Sequence, residues 1–522
     1  MKTKQLFFCS LTGLALLTTS CSSNDEALNG GNGASNDGNT YAQIAISVAN
    51  SATTRAVTGN TGDEAYGDDN EYTVNDLTVV LANENDIAMQ VITPEMKEAT
   101  NTDVADDKLI RVTKPFQCTP GKYKVYVLAN YKNSQSSLSP IIKGSTDMKM
   151  VFGLSDIAKL YESDNFFMTN TSDPKAGEIK KDGTDKEVDD AGNEITDGKT
   201  NLNLLKVDVE RAVSKVTFDN TDNQSFNVMV GDNKIATATL KGASLINLNK
   251  KMYLVKEGTL ATNRPVSTKD WPYPVDPNYY KTSTDADYAD YIKANFDQAS
   301  VSESGFTAPS LAKFYCPENT MAAAAQSNGQ TTGVVYKVKY APVDGYYTEL
   351  AAENGTDSYS KMYEKVLALG KTEIAPTITN TIFTKADNED GTFYSYNGYV
   401  FRSLAGARLY KAIATNTDGE AATVNGAFKT ENNDGIQTYA EGYCYYTAWI
   451  KHNPGGTTMQ QDKYGVVRNF WYELKVNSIK KLGYSKPTYE KPTDPDDKAE
   501  ASIQVQVKIK KWRLVKQNVD LE

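Results

Sequence analysis

The chain has 522 residues, of which 39% are hydrophobic and 23% charged. This length predicts more than one domain, and the composition is that of a soluble globular protein rather than a disordered one. The formal net charge of −11 argues against nucleic-acid partners, because binding to phosphates depends on patches of Lys and Arg. The 32 tyrosines, with many Thr and Val residues in short runs, favour an all-β fold.

The first twenty residues have the pattern of an export signal. Lys2 and Lys4 precede the apolar run LFFCSLTGLALL, which is too short for a stable membrane span. Ser20 followed by Cys21 resembles a lipobox, so we expect a signal peptide over 1–20 and a lipidated (palmitate-bearing) Cys21. The alternative is an ordinary secretory signal with a cysteine nearby. No later apolar run is long enough for a transmembrane helix, so contact with a membrane would depend on the lipid anchor of the precursor.

A polar tether and a short strand follow the signal. Residues 22–40 are rich in Gly, Asn, Ser and Asp, which predicts a flexible tether. In residues 42–49, the apolar side chains Ile44, Ile46 and Val48 alternate with others, as in a strand with one buried face.

Arg55 lies in the run of small residues that follows, SATTRAVTG. It is the only Lys or Arg between Gln5 and Met96, in a chain that has 55 such residues. Taken alone, such a residue is most often a solvated loop arginine. Its isolation also fits a unique site for a basic-specific protease.

Strand patterns dominate the body of the chain. Residues 73–82 and 118–131 alternate in hydrophobicity, and a new set of strands begins near residue 202. We interpret the charged, Gly-rich residues 173–200 as a long exposed loop. With a boundary near residue 205, the chain divides into residues 56–205 and 206–522, each predicted to be a sandwich-like β domain. Helical patterns at 285–296 and 358–370 predict small helical insertions.

The C-terminal end carries a further strand pattern after a polar linker at 484–500. For 501–510 we expect a last strand that pairs locally. Residues 512–522 either fold back as well or reach beyond their own domain. The apolar side chains in this segment are Trp512, Leu514, Val519 and Leu521.

Signatures of catalysis and of metal binding are missing from the sequence. His452 is the single histidine, which excludes His-based metal clusters, and it lies in the turn-like run KHNPGG. The acidic runs 67–71 and 494–497 lack the spacing of a calcium loop. We therefore expect no enzymatic activity, no cofactor and no metal.

Three cysteines remain in the folded body: Cys118, Cys316 and Cys444. They are widely spaced and could form at most one disulfide. Buried free thiols are the favoured interpretation, although pairing stays open.

Three sequence motifs resemble a known family. These are VERAVSKVTF (209–218), FYCPENT (314–320) and YGVVRNFWYELKVNSIKKLG (464–483), the last followed by the linker and a terminal VQVKIKKW segment. In this order, with the lipobox and Arg55, they resemble the type V pilus fimbrillins of Bacteroidales. The similarity is greatest to the shaft subunit of minor (short) fimbria and covers most of the chain.

The resemblance implies a fold and an assembly mechanism. The fold would be two tandem transthyretin-like β-sandwich domains. An arginine-specific surface protease would cut between Arg55 and Ala56, which removes residues 21–55 with the plug strand formed by Ile44, Ile46 and Val48. A neighbouring subunit would then fill the groove with its donor segment 512–522, whose candidate anchors are Trp512, Leu514, Val519 and Leu521.

The resemblance also implies a location and partners. The precursor would be an outer-membrane lipoprotein and the mature protein an adhesive extracellular fimbrium. Its partners would be identical subunits, anchor and tip subunits, the protease and an unidentified adhesion receptor. One alternative is a tip or accessory adhesin of the same pilus. Another is a monomeric glycan-binding outer-membrane lipoprotein, with WPYPVDPNYY (271–280) as a stacking platform.

Overall fold

Strands are far more extensive than helices in the part of the chain that the structure describes, as the sequence predicts. The structure is a computed structural model. It describes residues 40–48, 64–98, 110–162, 165–220, 224–257, 273–298, 305–309, 312–343, 390–415, 430, 432–487, 491–497 and 503–513.

Eleven strands are described between residues 41 and 211. They are β1 (Tyr41–Val48), β2 (Glu64–Tyr66), β3 (Leu77–Ala82), β4 (Ala88–Ile92), β5 (Ile110–Val112), β6 (Phe116–Gln117), β7 (Gly121–Ala129), β8 (Phe152–Gly153), β9 (Met168–Asn170), β10 (Ala176–Ile179) and β11 (Leu202–Arg211). Nine of them form one sheet in the order β4-β3-β7-β9-β11-β1-β5, in which β10 also pairs with β7 and β6 with β1.

Fourteen strands are described after residue 212. They are β12 (Val213–Phe218), β13 (Ser225–Val230), β14 (Asn233–Ile246), β15 (Leu248–Asn249), β16 (Lys251–Met252), β17 (Phe296–Asp297), β18 (Lys313–Pro317), β19 (Gly333–Pro342), β20 (Phe393–Tyr396), β21 (Tyr399–Phe401), β22 (Gln437–Tyr439), β23 (Tyr443–Trp449), β24 (Phe470–Ile479) and β25 (Ile503–Arg513). Their two larger sheets have the orders β18-β12-β24-β25-β2 and β13-β14-β19-β23, and β21-β20-β22 form a smaller one.

Three α-helices are described: α1 (Tyr131–Ser134), α2 (Tyr288–Asn295) and α3 (Leu404–Thr415). Helix α2 confirms the helical pattern at 285–296. The pattern at 358–370 lies outside the described residues. Helix α3 had no counterpart in the sequence prediction.

Sheet membership changes at Ala212. Strand β11 runs through the predicted boundary at residue 205 and belongs to the nine-stranded sheet, whereas β12 belongs to the five-stranded sheet. Strand β2 departs from this division, because it comes from the N-terminal part of the chain and pairs with β25. The two-stranded pair β8–β16 also joins the two parts.

The interpretation of residues 173–200 as an exposed loop is wrong in part. Strand β10 pairs with β7 inside this segment, and isolated bridges join Asp185 to Leu202 and Val188 to Glu194. Ile179 and Val188 are buried. These apolar side chains in a charged, Gly-rich segment give it contacts with the sheet, so it folds onto the body.

The predicted linker 484–500 also contacts the body where it is described. The backbone N–H groups of Asn328 and Gly329 donate to the carbonyls of Asp494 and Pro492, at 2.9 and 2.8 Å. Asp496 is fully buried. This stretch is therefore fixed on the body before β25 begins.

Candidate functional site

Strand β1 occupies an internal place in the nine-stranded sheet. It pairs in parallel with β11 over its whole length, from Tyr41 opposite Leu202 to Val48 opposite Val209. Its other edge pairs antiparallel with β5 and β6. Removing β1 would therefore leave unpaired backbone groups on both sides of a slot, which is the arrangement that strand addition uses.

One face of β1 lies in the main hydrophobic core. Ala42, Ile44, Ile46 and Val48 are at most 1% exposed. Complete burial of an Ile or Val side chain contributes roughly 1.5–3 kcal/mol to stability. The residues predicted as the plug thus face the core together, and the slot without them would expose a row of apolar pockets.

The opposite face of β1 is covered by the segment 173–200, which sequence reasoning missed. The Gln43 carboxamide is fully buried; its Nε2 donates to the carbonyls of Thr113 (2.9 Å) and Val188 (3.0 Å). Its Oε1 accepts from the Val188 backbone N–H at 2.9 Å. Ala45 packs beside it against Val112 and Val188.

The start of β1 has further contacts with the same segment. The Lys199 ammonium lies 3.4 Å from the centre of the Tyr41 ring, a cation–π contact. Thr40 donates through its hydroxyl to the Lys181 carbonyl at 3.3 Å. Because both faces and both edges of β1 are occupied, this strand is held by far more than sheet pairing.

The three residues predicted for processing lie outside the described part of the chain. They are Cys21, Arg55 and Ala56. Within the described residues, no helix combines the length and apolarity needed to cross a membrane.

Residues 68–71, just after β2, are fixed to the five-stranded sheet by an ionic cluster whose central pair is buried. The Glu71 carboxylate lies 2.6 Å from the Lys215 ammonium, and both side chains are at most 1% exposed. Tyr315 donates to the same carboxylate, and Lys313 pairs with Asp68 at 2.6 Å. Burial lowers the pKa of Lys215, and Glu71 opposes that shift. The segment downstream of Arg55 is therefore anchored independently of β1.

Strand β25 continues the five-stranded sheet at the other end of the chain. It pairs antiparallel with β24, from Ile503 opposite Ile479 to Lys511 opposite Phe470, which confirms the predicted local strand at 501–510. The backbone of Trp512 is also in β25, opposite Ala65 of β2. The other candidate anchors, Leu514, Val519 and Leu521, lie outside the described residues.

His452 is built into the core. It is fully buried, and its Nδ1 lies 2.6 Å from the Tyr472 hydroxyl. Among the described residues, no group of three or more His, Cys, Asp or Glu side chains is placed to hold a metal ion.

The three cysteines of the body are free and buried, which confirms the favoured interpretation. Burial raises the pKa of the Cys118 thiol to about 11 and those of Cys316 and Cys444 to about 12. They are therefore protonated, unreactive thiols at neutral pH.

Gln43 and Glu71 could not be identified from the sequence. Gln43 occupies the polar side of an alternating pattern, where a solvent-exposed residue is expected, and Glu71 belongs to an acidic run. Their partners Val188 and Lys215 are more than 140 residues away. The available signal for Gln43 was weak: a carboxamide in a strand whose other residues are apolar or small.

Two family descriptions match the chain. Residues 42–211 match the family described as "Major fimbrial subunit protein (FimA)", and residues 437–518 match "Major fimbrial subunit protein type IV, Fimbrillin, C-terminal". No curated protein sequence gives a significant match.

Several solved structures show a distant likeness. A fimbrilin (FimA) from Porphyromonas gingivalis is 14% identical, with a TM-score of 0.38 over 91% of this chain and 99% of its own. The tip fimbrial protein Mfa3 from the same organism is 11% identical, with a TM-score of 0.28 over 90% and 100%. The fimbrial anchor protein Mfa2, also from P. gingivalis, is 13% identical, with a TM-score of 0.22 over 43% and 64%.

Proposed function

The chain belongs to the fimbrillin family, and from that premise we propose that it is a shaft subunit of an adhesive fimbrium on the cell surface. Both matching family descriptions are of major fimbrial subunits. The greater similarity to the minor-fimbrium shaft subunit stays a prediction.

The observation that carries the proposal is the placement of β1. Ile44, Ile46 and Val48 fill core pockets from a strand that enters the sheet from the N-terminal end. The single basic residue of the following segment is Arg55. A cut between Arg55 and Ala56 would separate β1 from a body that stays anchored by the cluster around Glu71.

The strand that replaces β1 would come from the C-terminal end of a second subunit. Trp512 is already part of β25. In one continuous strand, successive residues face opposite sides and every second residue faces the same side, so Trp512 and Leu514 cannot share a face with Val519 and Leu521. We assign the core-facing positions of the donor to Val519 and Leu521.

The proposed life cycle has two locations. The precursor is held at the outer membrane by acyl chains on Cys21, and the processed subunit joins an extracellular polymer with anchor and tip subunits. The cut is made by an arginine-specific surface protease.

The cleavage step is tested by determining the N-terminus of protein extracted from the cell surface. We expect the mature chain to begin at Ala56, and the Arg55→Ala variant to accumulate as a lipidated monomer. Thr54→Ala is the matched control and is expected to be processed normally. A wild-type chain that keeps a blocked Cys21 would instead favour the monomeric lipoprotein.

The donor assignment is tested by removing residues 514–522, which leaves β25 intact. We expect folded, processed monomers without polymer. Val519→Asp should have the same effect, whereas Asn518→Asp, on the other face, should polymerise. If the truncated variant formed polymers as long as those of the wild type, the donor assignment would be contradicted. If the wild-type chain is processed normally but is found only at the ends of fibres, the tip adhesin would be favoured.

A further inference from the structure

We propose that residues 181–199 form a latch that recognises β1 through the Gln43 carboxamide and retains β1 in its groove after the chain is cut. Residues 181–199 are called the latch below. Release of β1 is then a step separate from the cut, and it requires the latch to open. The inference rests on the proposed function in one respect, that β1 is cut from the body at Arg55.

The recognition is specific in its chemistry. The latch presents a backbone N–H and a carbonyl at Val188, and the sheet presents the Thr113 carbonyl. A primary carboxamide has the donors and the acceptor to satisfy all three groups at once. A hydrocarbon side chain at position 43 would satisfy none of them, and a carboxylate could accept from Val188 but donate to neither carbonyl.

The neighbouring positions of β1 restrict size and charge. Ala45 is only 7% exposed and packs against Val188 and Val112, so a larger or charged residue in this register would displace the latch. At the start of the strand, the Lys199 ammonium covers the Tyr41 ring. The latch thus distinguishes β1 from a generic alternating strand, which would satisfy only the core face and the sheet edges.

The latch is itself held to the body on its other side. Lys97 and Glu187 form an ion pair at 2.6 Å, with both side chains less than 20% exposed. Asp185, near the start of the latch, forms a backbone bridge with Leu202 of β11. Neither contact is made by a residue of β1, so the latch has attachments to the body besides those to β1.

The test measures how fast a cut β1 leaves. A recognition sequence for a sequence-specific protease is inserted between Arg55 and Ala56 of the full-length chain. After cutting, the N-terminal fragment that still co-elutes with the body is followed over time by size-exclusion chromatography and mass spectrometry. We expect slow release from the wild type and at least tenfold faster release from Gln43→Leu.

Two further variants complete the design. Ser47→Ala is the matched control on the same strand, because its hydroxyl bonds to the Asp208 carboxylate at the exposed side, and we expect less than a twofold change. Lys199→Ala leaves the sequence of β1 unchanged, and it replaces Gln43→Leu as the test variant if Gln43→Leu does not fold. This variant too should release β1 faster than the Ser47→Ala control. In the uncut Gln43→Leu chain, amide hydrogen exchange at 186–199 should increase.

Equal release rates for wild type, Gln43→Leu and Lys199→Ala would overturn the latch. That outcome is separate from failure of the proposed function, which would show as polymers that persist without residues 514–522. A latch that is confirmed in a chain that never polymerises would keep this inference and reject strand exchange between subunits.

Discussion

Strands β1 and β25 have the same alternating sequence pattern but very different surroundings. β1 has partners on both edges over most of its length, a core on one face and residues 181–199 on the other. β25 pairs along one edge with β24, while on its other edge the described residues that pair with it are the three of β2. Near the centre of β25, Gln506 is exposed and Val507 is buried, as in a strand with one solvent-exposed face.

The difference shows that hydrophobic alternation does not determine how strongly a strand is held. Alternation fixes which side chains face the core, but the number of covered edges and faces depends on distant parts of the chain. β1, which is proposed to leave, is the more extensively covered of the two. Under the proposed function, the cut and a replacement strand that fills the same pockets would both favour its loss.

The largest expected effect on stability comes from breaking the ion pair that attaches residues 68–71 to the sheet that contains β25. Glu71→Ala leaves the Lys215 ammonium buried without its carboxylate, which should lower the free energy of unfolding by about 3–5 kcal/mol. Urea denaturation of the full-length chain measures this.

The matched control for this prediction is an exposed ion pair. Glu84→Ala breaks the pair with Lys122, whose side chains are more than 60% exposed, and should cost less than about 1 kcal/mol. The double variant Glu71→Gln/Lys215→Met should recover much of the loss. A Glu71→Ala chain as stable as Glu84→Ala would show that the buried pair does not anchor this segment.

A smaller effect is expected from one core substitution in each of the two strands, which compares them directly. Ile46→Ala in β1 removes a side chain that is 1% exposed and should cost about 2–5 kcal/mol. Val505→Ala in β25 removes a partly buried side chain and should cost about 1 kcal/mol or less. The measurement is again urea denaturation, and equal losses would remove the contrast between the strands.

The smallest effect concerns pH. A hydrogen bond from Lys313 holds the pKa of the Asp68 carboxyl below its ordinary value. This pair therefore stabilises the fold above the ordinary pKa of aspartate, and the contribution is lost as the pH falls through the lowered value.

The pH effect is measured against Asp68→Asn. Because both side chains are about half exposed, the wild type should exceed the variant by less than about 1 kcal/mol at pH 7. The difference should shrink below about pH 4 and in high salt. A difference that grows on acidification would contradict the assigned direction.

Sequence reasoning located the strands whose alternation is local. Residues 42–49 and 501–510 were identified in this way, since a two-residue period is visible without knowledge of partners. It failed for residues 173–200, where charge and glycine content concealed the two buried positions Ile179 and Val188. It also missed helix α3.

The candidate site was harder to predict than the strand itself. The core face of β1 could be predicted because it follows from alternation. The contacts of Gln43 with Val188 and Thr113 could not, since they join positions 145 and 70 residues apart and use backbone groups that carry no sequence signal.

The parallel register of β1 on β11 has a mechanical consequence. Eight consecutive residue pairs connect the two strands, and their hydrogen bonds run across the strand direction. A pull along the strand axis would load these bonds together in shear, whereas lifting one end would break them in succession. A strand seated in this groove is thus strong against tension along its own axis and weak against peeling from its end.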